Sequence, residues 1–342
     1  MRFLHLDTLR FILAFYVVFG HTLGWTGPAR NAGLAVDFFF ILSGFVLTQS
    51  LVNRPLSFRD FAIARIARLW PLQVATMAAV LLLAPWPGWE AVLVNLSLMQ
   101  NSGIVDELTI NIPAWSISSE LIIGVLLLYP IARYGLRMVA LVTIVFCYLL
   151  IRDISGHIEH LTSNPVGPVS AGLLRCAIDT SLGYLVYQAR PYAKVIPRGV
   201  ILPVHVFAII GIFWCLQAPI ENPGKTVAVI FSAFAIWALS SGESAIQRVL
   251  ASKNVAWLGS LSFGIYMWHF PILLLFRDFN LIGYTEDTRA ALLAADWNVI
   301  RSIVLLYLSI ILVAAISYAA IEKPAKRAII RFSETMKPAL AG

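Results

Sequence analysis

Residues 34–52 read Leu34-Ala35-Val36-Asp37-Phe38-Phe39-Phe40-Ile41-Leu42-Ser43-Gly44-Phe45-Val46-Leu47-Thr48-Gln49-Ser50-Leu51-Val52, with Asp37 the one charged residue. A run of this length and apolarity matches the thickness of a bilayer core, which takes about 20 residues of helix. It is too long and too evenly apolar for a barrel strand, so a helix is the spanning element it implies. Nine more apolar runs flank it, at 3–24, 69–86, 112–132, 138–151, 170–188, 199–217, 225–241, 255–276 and 299–321. The stretch Trp89 to Met99 is too short to span and is expected to lie at the interface or to re-enter the bundle. The expected fold class is therefore all-α, a polytopic transmembrane helix bundle of about ten spans with no soluble domain.

Composition agrees. The 342 residues are 59% hydrophobic and 13% charged, with a mean hydropathy of +0.82. A soluble domain carries about 25% charged residues. The net charge of +7 does not point to nucleic acid, because the cations sit in short segments between apolar runs. Seventeen of the 25 Lys and Arg fall on the N-terminal side of the bundle, six fall on the other, and Arg10 and Arg175 lie within spans. This positive-inside bias predicts that both termini are cytoplasmic. The whole chain, 1–342, reads as one membrane domain ending in a short basic cytoplasmic tail, 325–342. The N-terminal run is interrupted by Arg10 and His21 and has no small-residue cleavage site, so it reads as a retained span. Cys147, Cys176 and Cys215 lie in apolar segments without ligand spacing and read as buried free thiols.

Ionisable groups at membrane depth are costly and mark function by default. Arg10 and His21 are eleven residues apart. On a helix this places them on one face, about 16 Å apart along the axis. Asp7, one turn before Arg10, is positioned to pair with it. His21 lies near the outer end of its span, where an imidazole is either a functional base or an interfacial group touching solvent. Asp37 lies at similar depth, placed either to orient that imidazole or to act as a helix N-cap. Ser43-Gly44 reads as a close helix-packing point.

Arg65 and Arg68 share one face of a basic cytoplasmic segment and suit phosphate groups, or serve as positive-inside anchors. Glu120 follows Trp115, Ser116, Ser118 and Ser119 and is expected just inside the outer face. Tyr266 and His269 share a face at i, i+3, and Pro271 is expected to kink their helix and free a backbone carbonyl. Glu322 reads as the partner of a basic loop residue.

In this order the motifs resemble the membrane-bound acyltransferase family 3, the bacterial O-antigen, exopolysaccharide and nodulation-factor O-acetylases. Arg10 and His21 resemble its Arg-x10-His motif. Val36 to Phe45 resembles Val-Asp-x-Phe-Phe-x-x-Ser-Gly-Phe, and Arg65 with Arg68 resembles Arg-x-x-Arg. Trp115, Ser116 and Glu120 resemble Trp-Ser-x-x-x-Glu. Ser262, Tyr266 and His269 resemble Ser-Tyr-x-x-Tyr-x-x-His, and Glu322-Lys323-Pro324 resembles the terminal Glu-Lys/Arg-Pro. The resemblance runs from residue 7 to residue 324. Phe263 departs from it, standing where many members have tyrosine. No hydrolase-like domain follows the spans, which is expected to favour acceptors handled by the membrane domain alone.

The resemblance implies an acyl-CoA-dependent O-acyltransferase of the bacterial inner membrane, with acetyl-CoA the expected donor. It implies a glycan acceptor, such as an exopolysaccharide or a lipid-linked oligosaccharide. Arg10, Arg65 and Arg68 would hold the CoA. His21 would be the general base, with Asp37, Glu120, Tyr266 and His269 completing the catalytic set. A covalent acyl-histidine remains open, as do the acyl group, the acceptor hydroxyl and the oligomeric state. No metal and no nucleic acid is expected. A transporter or flippase for a lipid-linked glycan would use a similar polar path, but no inverted repeat is visible between the halves.

Overall fold

The computed structural model describes residues 3–105, 107–155, 165–166, 169–218, 225–240, 242–283 and 285–336. Two of the cations assigned to the cytoplasmic side, Arg2 and Lys337, and the end of the basic tail lie outside the described residues. The chain folds into helices α1 Leu4–Leu23, α2 Ala35–Asn53, α3 Phe58–Leu83, α4 Trp89–Leu96, α5 Trp115–Ile123, α6 Tyr129–Tyr134, α7 Arg137–Ser155 and α8 Ala171–Ala189. These are followed by α9 Ile201–Gln217, α10 Lys225–Leu239, α11 Ala245–Leu250, α12 Lys253–Gly259, α13 Ser262–Asp278, α14 Thr285–Leu293, α15 Trp297–Ser317 and α16 Lys323–Thr335. One wider π-turn, Gly124–Leu128, joins α5 to α6, and another, Tyr318–Glu322, joins α15 to α16. Among the described residues the only extended pairing is a two-residue ladder between Pro165–Val166 and Val169–Ser170.

Five helical stretches are long and apolar enough to cross a bilayer, and three shorter apolar helices accompany them. The chain is an all-α, multi-pass membrane bundle. Leu82, Leu126, Val142, Ile210 and Leu312 are exposed on its outside, as expected where the solvent is hydrocarbon. Two of the ten runs, those that form α8 and α13, belong to neither apolar group. Both carry ionised or imidazole side chains, and both are largely buried by neighbouring helices. Trp89 to Leu96 forms the short helix expected of it, with Trp89 and Leu93 exposed.

Two boundaries differ from the sequence reading. The third helix begins at Phe58, not near residue 69, capped by Ser57 Oγ accepting from the Asp60 N–H at 3.1 Å. Arg65 and Arg68, read as sharing one face, therefore lie on the long third helix itself and not on a segment ahead of it. The basic residues after Glu322 form the amphipathic helix α16, which packs along α3. Hydropathy alone excludes both segments from spans, because their charged faces outweigh their apolar ones.

α2 packs along α8 more extensively than any other helix pair. Two glycines permit this. A Cβ on Gly44 would lie 2.2 Å from the Thr180 carbonyl oxygen, and one on Gly183 would lie 2.1 Å from the Ile41 carbonyl oxygen. The expected close approach at Ser43-Gly44 is thus present, and its other half is on α8. Around this pair, α5, α7 and α10 pack against α8, and α1 bridges to α13 and α15. Since the obstacle at Gly183 is backbone, Gly183→Ala cannot be relieved by a rotamer change. It should cost about 2–3 kcal/mol, at the upper end for overpacking. Thermal unfolding in detergent, read beside a Gly199→Ala control with open space at that position, checks this.

Candidate active site

A cavity of about 370 Å³ opens between α1, α2, α3, α5, α13 and α16. Its polar lining includes Arg10, Ser43, Arg65, Arg68, Glu120 and Tyr266. The guanidiniums reach it because α3 starts early and carries Arg65 and Arg68 one turn apart on one face. Arg65 is buried and donates to Glu120 Oε1, which also accepts from Ser43 Oγ at 2.7 Å. Arg68 Nη1 donates to Glu322 Oε2 at 3.0 Å and its guanidinium lies 4.9 Å from the centre of the Phe263 ring. Arg10 Nε donates to Ser262 Oγ at 2.8 Å, and Arg10 Nη2 lies 3.5 Å from Asp7 Oδ1 and 3.3 Å from the Gly259 carbonyl oxygen. Each guanidinium in the lining thus has a carboxylate partner, which is what allows three such charges to persist at this depth.

At the inner end of the cavity stand Ser116 and Tyr266. The Tyr266 hydroxyl donates to the Pro113 carbonyl at 2.9 Å and accepts from Ser116 Oγ at 2.8 Å. Beyond Tyr266 the ring of His269 follows at 5.8 Å, and His21 lies 4.8 Å further, centre to centre. His269 Nδ1 is 2.6 Å from the Tyr266 carbonyl and His21 Nδ1 is 3.0 Å from the Val17 carbonyl. A carbonyl only accepts, so each Nδ1 carries the proton and each neutral ring keeps its lone pair on Nε2. His269 Nε2 is buried with no hydrogen-bond partner among the described residues. Two imidazoles in contact, both in the tautomer that leaves Nε2 basic, are an arrangement able to take a proton from a hydroxyl. The Trp25 ring packs on His21 at 4.7 Å.

The carbonyl that Pro271 is expected to free is in place. Lacking an N–H, Pro271 frees the Met267 carbonyl one turn earlier, and Asn111 Nδ2 donates to that oxygen at 3.1 Å. This ties the loop before α5 to the helix that carries His269. The pairings Arg10–Asp7 and Arg68–Glu322 also follow the sequence reading.

Two residues sit elsewhere than expected. Asp37 does not touch His21. Its two oxygens accept from Arg175 Nε at 2.6 Å and Nη2 at 2.7 Å, while Nη2 also donates to the Gly33 carbonyl at 2.9 Å. Asp37 and Arg175 are both buried. Asp179, one turn after Arg175 on α8, is buried too, and its Oδ2 has no hydrogen-bond partner among the described residues. Glu120 is not beside the imidazoles near the outer face but beside Arg65 and mid-α2 Ser43. Sequence reasoning gave no role to Arg175 or Asp179. The available signal was an arginine inside a span, which must find a carboxylate on another helix. No group of three or more potential metal ligands occurs among the described residues, and the three cysteines are buried and free.

Removing one member of a buried ion pair leaves the other uncompensated, at a cost of about 3–5 kcal/mol. Asp37→Ala and Arg175→Ala should each lower the unfolding temperature sharply. The apolar double replacement Asp37→Leu/Arg175→Met should recover part of the loss. Thermal unfolding of the purified variants measures both, and equal losses for single and double variants would show that the pair itself is not what matters.

The chain resembles known proteins along nearly its whole length. It is 22% identical to the peptidoglycan O-acetyltransferase OatA of Listeria monocytogenes over 94% of this chain and 55% of that protein. YrhL of Bacillus subtilis is 22% identical over 93% of this chain and 54% of its own length. The chain thus spans about half the length of these two relatives. The picA-locus protein 2 of Rhizobium radiobacter is 41% identical over 83 residues, 22% of this chain and 43% of that one. No solved structure matches the chain. The acyltransferase domain Acyl_transf_3 matches residues 3–320, and with the same motifs converging on one cavity and one imidazole pair, the chain belongs to that acyltransferase family.

Proposed function

We propose that the protein is an inner-membrane O-acyltransferase that moves an acyl group, acetyl in the simplest case, from cytoplasmic acyl-CoA to a glycan hydroxyl. The observation that carries this reading is the line from a cation-lined cavity through Ser116 and Tyr266 to two imidazoles with basic Nε2 atoms. The CoA nucleotide would sit at the mouth near Arg10, Arg65 and Arg68, with its pantetheine arm in the cavity. The acceptor would approach His21 from the other side, as an exopolysaccharide or lipid-linked glycan would. The names of the two longer relatives make a cell-wall glycan a further acceptor of the same chemistry.

His21 Nε2 takes the proton of the acceptor hydroxyl as its oxygen attacks the thioester carbonyl. The tetrahedral intermediate collapses, the C–S bond breaks, and the departing CoA thiolate takes that proton back. His269, in ring contact with His21, is placed to share the proton in transit. Ser116 is the better oxyanion donor of the two hydroxyls. Its proton has two alternative acceptors, Tyr266 Oη and the Pro113 carbonyl at 3.2 Å. Turning it toward substrate still leaves the Pro113 carbonyl satisfied by Tyr266. Tyr266 stands between the cavity and the imidazoles, so its side chain must swing aside for a thioester to reach His21. Asp37 and Glu120 serve here as positioning residues, through Arg175 and Arg65.

The test is binding and turnover of labelled acetyl-CoA by the purified protein. His21→Ala should keep binding while turnover falls about 100- to 10,000-fold, the range for a lost general base. Arg65→Gln/Arg68→Gln, chosen to keep a hydrogen-bond donor beside Glu120 and Glu322, should lose binding. Retained turnover in His21→Ala removes the proposed base, and no binding by folded wild type removes the donor.

A further inference from the structure

We propose that Lys326, on α16, is a donor-binding residue whose ammonium takes a phosphate of the acyl donor at the cavity mouth. This rests on the reading that the donor is an acyl-CoA. Four cations line the cavity: Arg10, Arg65, Arg68 and Lys326. The three arginines lie against Asp7, Glu120 and Glu322 respectively. A phosphate approaching any of them finds guanidinium donors, but a charge that is already shared with a carboxylate. Lys326 differs. Among the described residues it has no carboxylate within ion-pair distance, and it sits in the field of Arg65 and Arg68. Lys326 therefore supplies the cavity's unneutralised positive charge, at the place where an anion would relieve the repulsion.

The backbone explains how it comes to be there. The π-turn at Tyr318–Glu322 carries the chain from α15 into α16 without a break. Glu322 turns inward to Arg68, and Lys326 follows four residues later on the same face. α16 lies along α3, the helix that carries Arg65 and Arg68. Lys326 lines the cavity yet is exposed, so an anion from the cytoplasm can reach it. Its neighbour Lys323 is engaged elsewhere, 4.4 Å from the centre of the Tyr318 ring. Arg331, further along α16, is exposed and outside the cavity lining. A lysine, with three donors on a flexible stem, binds phosphate as a point charge without demanding a fork geometry.

The experiment is titration of acetyl-CoA onto the full chain in detergent, with Lys326→Ala, Lys326→Arg, Lys326→Glu and Arg331→Ala beside wild type. Kd should rise about three- to tenfold in Lys326→Ala, the scale of one half-exposed charge-assisted contact. It should rise further in Lys326→Glu and return to within about twofold of wild type in Lys326→Arg. Arg331→Ala should bind and turn over as wild type does. Wild-type binding that Lys326→Glu leaves intact overturns this inference alone. An equal loss in Arg331→Ala also overturns it, since the effect would then be general surface charge. Failure of wild type to bind acetyl-CoA overturns the donor reading and this inference with it.

Discussion

Arg175 and Asp37 meet where neither has water, and the placement of α8 against α2 depends on that meeting. A charge at membrane depth costs about 2.5–3.5 kcal/mol on insertion scales. α8 carries the Arg175 guanidinium and the polar Asp179 carboxyl, and it cannot face lipid on the side that bears them. It is wrapped by α2, α5, α7 and α10. The fork from Arg175 to both oxygens of Asp37 satisfies the charge, and the reciprocal glycines at 44 and 183 let the backbones close to the distance the fork requires. Polar pairing and small-residue packing act together here. The glycines bring the two backbones together, and the fork, with the Gly33 carbonyl, offsets the desolvation of the arginine.

The same rule orders the rest of the interior. Arg10 with Asp7, Arg65 with Glu120, and Arg68 with Glu322 bring the charged groups together around one cavity. Beyond them the polar groups are hydroxyls and imidazoles: Ser116, Tyr266, His269 and His21. The charged groups and the imidazoles are thereby separated in space, with a tyrosine at the boundary. The separation suits the reaction proposed above, in which a phosphate-bearing donor would meet the cations and a neutral base would serve the reacting atoms. Both imidazoles are held in one tautomer by backbone carbonyls, so the basic nitrogen is fixed by helix geometry and needs no carboxylate partner.

Much of this was legible in the chain. The eleven-residue interval between Arg10 and His21 places them on one face, and the structure puts Arg10 in the cavity lining and His21 beyond its inner end. Pro271 implies an unpaired carbonyl, and Asn111 is found on it. Ser43-Gly44 implies close packing. What could not be read was which helix each polar group would face. Asp37 and His21 lie at similar depth on consecutive helices, yet the carboxylate turns to α8. Glu120 was placed by its distance from the start of its own helix, whereas its partners come from α2 and α3. The start of α3 was misplaced because four charged residues among apolar ones, Arg59, Asp60, Arg65 and Arg68, set the segment apart from the span when hydropathy is averaged over all faces of the helix.

By itself the sequence determined the spans, the charge bias across them, the helical face of each motif residue and the family those motifs resemble. All of these depend on transfer free energies and on a local period of 3.6 residues, quantities that neighbours along the chain suffice to define. The tertiary structure decided the partners: Arg175 for Asp37 across 138 positions, Glu322 for Arg68 across 254, and His269 for His21. In a bilayer the hydrophobic effect does not choose among helix faces, because lipid is as apolar as leucine. Close packing and the need to pair every buried charge make that choice, and both are properties of the whole assembled bundle.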